Sequence, residues 1–241
     1  NNIEIIIQIG KILLVKGENE EAKKYIKRAE IIDPNNIDIK YILASIYINS
    51  DDLNEAKKIY LSIINSDESN YIAYNDLGAL YLKLDDFDNA LLNLNTSVEI
   101  NPDYHIAWSN LGSLYIKKRQ FNDAVEMLNW SLGIESDHIP SIRNIAKAYL
   151  EKGDFIQSKK YYHQLIALEE GNSKYLTEFG EMFVSSNKFK EAEECFLKAI
   201  KIDSEYPLAY LALGHLYSVT NNEENAIKYL IKASNYDSTS S

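Results

Sequence analysis

Apolar and polar positions along this chain follow helical spacing, and the whole pattern recurs every 34 residues, seven times, without insertion or deletion. The copies run 3–36, 37–70, 71–104, 105–138, 139–172, 173–206 and 207–240, within a single array spanning 1–241. In the fourth copy Trp108, Leu111, Gly112 and Tyr115 share one face at the i, i+3, i+4, i+7 spacing, which predicts a first helix over 105–118. A polar or glycine-bearing break follows, as at Gly17-Glu18, Asp51-Asp52, Asp85-Asp86 and Gly153-Asp154. A second helix then ends near Asp33-Pro34 or Asn101-Pro102, because proline cannot continue it. Three columns fix the packing. Position eight reads Gly10, Ala44, Gly78, Gly112, Ala146, Gly180 and Gly214; position twenty reads Ala22, Ala56, Ala90, Ala124, Ser158, Ala192 and Ala226. Position eleven is large: Leu13, Tyr47, Tyr81, Tyr115, Tyr149, Phe183 and Tyr217. Small residues let the paired helices approach closely, so a large side chain at Gly112 is expected to overpack the contact by roughly 1–3 kcal/mol. One short pair cannot bury its apolar face alone, and stability must come from neighbouring copies.

In the fourth copy Trp108, Leu111, Gly112, Tyr115, Ala124, Leu128 and Ser131 spell out a known signature. The third gives Tyr74, Leu77, Gly78, Tyr81, Ala90, Leu94, Ser97 and Pro102. The chain resembles the tetratricopeptide repeat (TPR) family over essentially its full length. The resemblance implies an all-α, right-handed α-solenoid whose first helices line a concave groove, and a protein that binds peptides or partner helices without doing chemistry. The second and fifth copies depart from the pattern. Each has alanine at position eight and a bulky residue, Ile63 or Leu165, where the family has alanine; the fifth adds Ser158 and Pro140. These departures read as local changes of helix spacing.

Composition narrows the partner. A net charge of −11 argues against nucleic acid or an anionic membrane, since both need a basic footprint. The opening Ile3–Ile9 run is too short to span a bilayer, so no membrane insertion is expected. One cysteine, Cys195, allows no intramolecular disulfide and makes a reducing, cytoplasmic setting the default. The chain begins without methionine almost inside a repeat and reads as a piece of a longer protein.

Candidate chemistry is sparse. His105, His138, His163 and His215 are scattered over four copies, and no HExxH, CxxC, phosphate loop or G-x-S-x-G is present. Cys195 reads as a structural thiol, and the acidic pairs of the turns as helix N-terminal charge and capping. No catalytic residue, metal site or cofactor is predicted.

The groove carries the remaining signal. The resemblance implies that first-helix positions such as five, six and nine face inward. Their variety suits a ligand-reading surface: Tyr41, Asn75 and Ser109 at position five, Asn110 and Asn144 at six. Arg143 and Lys147 lie one helical turn apart in the fifth copy, the only one with net positive charge, near Lys117 and Lys174. A guanidinium and ammonium among amides suit a carboxylate or a peptide backbone, so an extended, partly acidic partner segment is expected there. Charge reversal at Arg143 and Lys147 is the corresponding test. Asn110 and Asn144, with Asp76 a partial substitute, also resemble the asparagine ladder of O-linked N-acetylglucosamine transferases. Two rungs fall short of that family's pattern. No window supplies the carboxylate clamp of chaperone-binding members.

Position twelve (Leu14, Ile48, Leu82, Ile116, Leu150, Val184, Ser218) forms an apolar edge, read primarily as packing against the following copy and alternatively as a strip for a partner helix. Trp130 stands where other copies are mostly polar and suggests a convex-face contact or self-association. The favoured function is a protein-interaction scaffold. The alternatives are a substrate-selecting or regulatory arm of a larger enzyme such as a glycosyltransferase, and homo-oligomeric assembly.

Overall fold

The computed structural model describes residues 3–169 and 171–237. Fourteen α-helices and no strand occur among them, in seven consecutive pairs. These are α1 (Ile3–Val15) with α2 (Asn19–Ile32), α3 (Ile37–Asn49) with α4 (Leu53–Ser66), and α5 (Tyr71–Lys83) with α6 (Phe87–Ile100). They continue with α7 (His105–Lys117) and α8 (Phe121–Ile134), α9 (Ile139–Glu151) and α10 (Phe155–Leu168), α11 (Ser173–Ser185) and α12 (Phe189–Ile202), then α13 (Pro207–Val219) and α14 (Glu223–Asp237). The last residues of the predicted seventh copy, 238–240, lie outside the described residues. The fold is an all-α helical-repeat solenoid.

Two compact units are present, Asn1–Leu114 and Tyr115–Ser241. In the first, α1/α2, α3/α4 and α5/α6 form hairpins, and α2 and α4 each pack on the first helix of the next pair. In the second, α9/α10, α11/α12 and α13/α14 do the same, with α8, α10 and α12 bridging to α9, α11 and α13. Within each unit, a pair thus completes its core on its neighbour, as a short amphipathic hairpin must.

The break between paired helices has one backbone solution. Position fifteen is left-handed in every copy: Gly17 and Gly153 at φ 78°, Asp51 and Arg119 at 58°, Asp85 at 56°, Asn187 and Asn221 at 57°. Glycine, aspartate and asparagine tolerate this region; Arg119 adopts it at a steric cost. The acidic pairs do part of the expected capping. Asp86 accepts from the Asn89 N–H and Asp154 from that of Gln157, while Asp52 makes no such bond and Asp51 pairs with Lys83 at 3.1 Å.

The small column at position eight has a direct packing reason. A Cβ on Gly78 would lie 2.7 Å from Leu94 Cγ and 3.2 Å from its backbone nitrogen, and one on Gly214 would lie 2.8 Å from Leu230 Cγ. Gly180 lies against the Phe196 ring in the same way. In the second and fifth copies the departures belong together. Ala44 and Ala146 accompany buried Tyr60 and Tyr162 at position twenty-four, with buried Ile63 and Leu165 three residues on. Ser158 keeps the small column by donating its hydroxyl to the Ala146 carbonyl at 2.9 Å, so its burial carries no unmet polar group.

Candidate functional site: a groove over the first helices of the second unit

Two adjoining depressions run over the first helices of the second unit. One, about 530 Å³, is lined by Ile116 and Lys117 at the end of α7, Arg119 and Phe121, Lys147, Leu150 and Glu151 of α9, Tyr162 of α10, and Glu178, Glu181 and Ser185 of α11. The other, about 320 Å³, lies between Arg143 of α9, Lys174, Thr177, Glu178 and Glu181 of α11, and Tyr206, Leu208, Leu211, Ala212 and His215 at α13. Glu178 and Glu181 line both, so the two depressions adjoin along one groove face. Its walls carry five permanent cations and three carboxylates, a locally basic lining in a chain of net charge −11.

Arg143 sits in this groove but faces an internal partner. Its Nε donates to both carboxylate oxygens of Glu178 at 3.0 Å, and its Nη2 donates to Oε1 at 2.6 Å. Lys147 lies 3.6 Å from the same carboxylate. The hydrogen bonds to Glu178 raise the Arg143 pKa further, against the opposing effect of burial. Desolvation and the like charge of Glu178 lift the Glu181 carboxyl above the usual range, while Lys147 pulls it down. Arg143 therefore anchors two first helices to each other. Lys117 and Lys174 are exposed and Lys147 is half-buried.

The same geometry recurs in the first unit. Position five of one copy meets position six of the next, thirty-five residues on: Asn110 Nδ2 donates to Asn75 Oδ1 at 2.8 Å, as Arg143 donates to Glu178. Asn75 and Ser109, expected to face a ligand, are only 2% and 3% exposed. The Asn110 amide of the next first helix covers Asn75. Tyr41 is half-buried and donates its hydroxyl to Asn70 Oδ1 at 2.9 Å. Of the two ladder-like asparagines, Asn110 is engaged in an internal rung with Asn75. Asn144 is half-buried. The position-twelve edge is largely engaged in packing: Leu82 is buried, and Leu150 and Val184 rest on the core around Phe179 and Phe183.

Elsewhere, Trp130 is 56% exposed on α8. Cys195 is buried, and desolvation raises its thiol to about 11, the opposite of an activated nucleophile. Among the described residues no cluster of His, Cys, Asp or Glu is arranged to hold a metal, and no helix is long and apolar enough to cross a membrane.

Models of the tetratricopeptide repeat match residues 71–104, 105–138, 144–172 and 208–240, a further model matches 13–81, and a TPR repeat model matches 180–218. The chain belongs to the tetratricopeptide repeat family. Among curated proteins none matches the sequence. Solved structures share the fold at low identity. A tetratricopeptide repeat protein from Parabacteroides merdae ATCC 43184 is 20% identical with a TM-score of 0.75, covering 97% of this chain and 93% of that one. PilW, a widely conserved type IV pilus biogenesis factor, is 18% identical with a TM-score of 0.72, covering 80% and 90%. YrrB, described as a TPR protein with an unusual peptide-binding site, is 18% identical with a TM-score of 0.55, covering 73% and 91%.

Sequence reading of this TPR chain singled out Lys117, Arg143, Lys147 and Lys174 around the groove, and the structure brings all four to its walls. Glu178, Glu181 and Leu208 fall at inward-facing repeat positions without being singled out, and Arg119 and Tyr206 carried no ligand-facing weight. The signal for Glu178 was present as the five-to-six register, an acid thirty-five residues after a base.

Proposed function

We propose that the protein is an interaction scaffold whose second unit holds an extended, partly acidic segment of a partner protein in the groove over α9, α11 and α13. The observation that carries this reading is the groove lining. Lys117, Lys147 and Lys174 with Arg119 line the groove beside the apolar Ile116, Leu150, Leu208 and Leu211, while Arg143 is held by Glu178. Apolar and cationic lining residues together suit alternating apolar and acidic ligand side chains. The peptide-binding site named for YrrB supports the class of ligand. Affinity for one short peptide is expected to be roughly micromolar, because ordering the ligand offsets much of the contact energy.

Reversal of Arg143 is a poor test, since glutamate there would oppose Glu178 and disturb the helix contact. Lys147→Glu with Lys174→Glu is the cleaner variant. Selection of randomised dodecapeptides on the wild-type protein should enrich sequences rich in Asp and Glu, and the double variant should bind the selected peptides roughly tenfold or more weakly at unchanged helicity. A selected pool without acidic enrichment, or equal binding by the variant, would overturn the proposal.

A further inference from the structure

The five-to-six register places Tyr41 of α3 opposite Asp76 of α5, thirty-five residues apart, at the repeat positions that Arg143 and Glu178 hold three copies later. The carboxylate persists, but the guanidinium is replaced by a phenol, and the Tyr41 hydroxyl is turned to Asn70. Asp76 receives one hydrogen bond, from Asn75 Nδ2 at 2.9 Å, and no lysine or arginine among the described residues pairs with it. Asn75 is itself fixed by the Asn110 amide, so the chain Asn110, Asn75, Asp76 sets the carboxyl in place and leaves Oδ2 for another donor. Tyr41, Tyr60 and Tyr104 all feel the charge of this carboxylate. Tyr41 and Tyr60 lie with ring centroids 6.3 Å apart, and Tyr104 is held edge-on by Tyr71 at 4.9 Å. Each of Tyr41, Tyr60 and Tyr104 is kept protonated by desolvation first and by the neighbouring Asp76 charge second. Asp67 adds a smaller effect at Tyr41.

A half-buried carboxylate without a counter-charge is costly in a fold, and electron-rich rings within reach of its charge favour a cation. We infer that Asp76, with Tyr41 and Tyr104, forms a second ligand site that takes the alkylammonium or guanidinium group of a partner segment. The carboxylate supplies the charge, the Asn75–Asn110 pair its orientation, and the tyrosines apolar surroundings that a lysine or arginine side chain prefers. The site is confined to the first unit and shares no residue with the acidic-segment groove of the second.

The test uses the whole chain with ring-labelled tyrosine and two small probes, n-butylammonium chloride and uncharged n-butanol, followed by NMR. The Tyr41 and Tyr104 ring signals should shift saturably with n-butylammonium and not with n-butanol. Asp76→Asn, close to isosteric, should lose the response, whereas Asp88→Asn, an exposed carboxyl of α6, should keep it. Absence of a saturable shift in the wild-type protein, or the same shift in Asp76→Asn, would overturn the assignment. Neither readout depends on Lys147 or Lys174, so failure of the groove reading leaves this result interpretable.

Discussion

Glu178 and Asp76 occupy the same position of the 34-residue repeat and meet different neighbours: a guanidinium in one case, tyrosines in the other. The contrast has a thermodynamic consequence. Burial pushes the Asp76 carboxyl up to about 6 from an ordinary 3.8, with the Asn75 hydrogen bond opposing the shift. A raised acid pKa means that the folded chain holds more protons than the unfolded one between about pH 4 and 6. Asp76 therefore weakens the fold progressively as pH rises through that window. Asp76→Asn should raise stability at pH 7.5 by about 1–3 kcal/mol, a gain that vanishes below about pH 4. Urea denaturation of both proteins at the two pH values checks this. Equal stability at pH 7.5 would mean that the carboxylate is better solvated than its surroundings indicate.

At the scale of elements, the helix pairs and their boundaries were legible because three columns of small and large residues repeat with the helices. First helices cover positions one to thirteen and second helices seventeen to thirty in most copies, close to the periodicity reading. The left-handed turn residue was legible at Gly17 and Gly153 but not at Arg119, where no glycine, asparagine or aspartate announces it. Close approach at position eight yields a direct prediction. Gly78→Ala should destabilise the protein by roughly 1–3 kcal/mol, because the new methyl meets both the Leu94 side chain and its backbone nitrogen. A denaturation midpoint unchanged from wild type would show that α5 and α6 can part without loss. Ala44 and Ala146 lie where glycine stands elsewhere, and their companion residues Tyr60, Ile63, Tyr162 and Leu165 show that packing is set by the trio, not by one column.

For the whole molecule, charge is unevenly distributed over a chain of net −11: the second and third copies are strongly acidic and the fifth is positive. That asymmetry matches the two ligand chemistries proposed above, a cation beside Asp76 and a carboxylate-bearing segment beside Lys147 and Lys174. Sequence alone brought Lys117, Arg143, Lys147 and Lys174 together, and all four line the two depressions of the second unit. It could not separate side chains spent on helix-to-helix rungs, such as Arg143 and Asn75, from those left to a ligand, because the period fixes the face of a helix and not the reach of a side chain across to the next. The most direct measurement of the central claim is methyl NMR of the isoleucine, leucine and valine side chains during titration with a peptide selected from the random pool. Binding in the groove should move Ile116, Leu150, Leu208 and Leu211 saturably and leave Ile12 and Ile31, exposed on α1 and α2, in place. Shifts confined to residues near Trp130 or to α1 and α2 would contradict it.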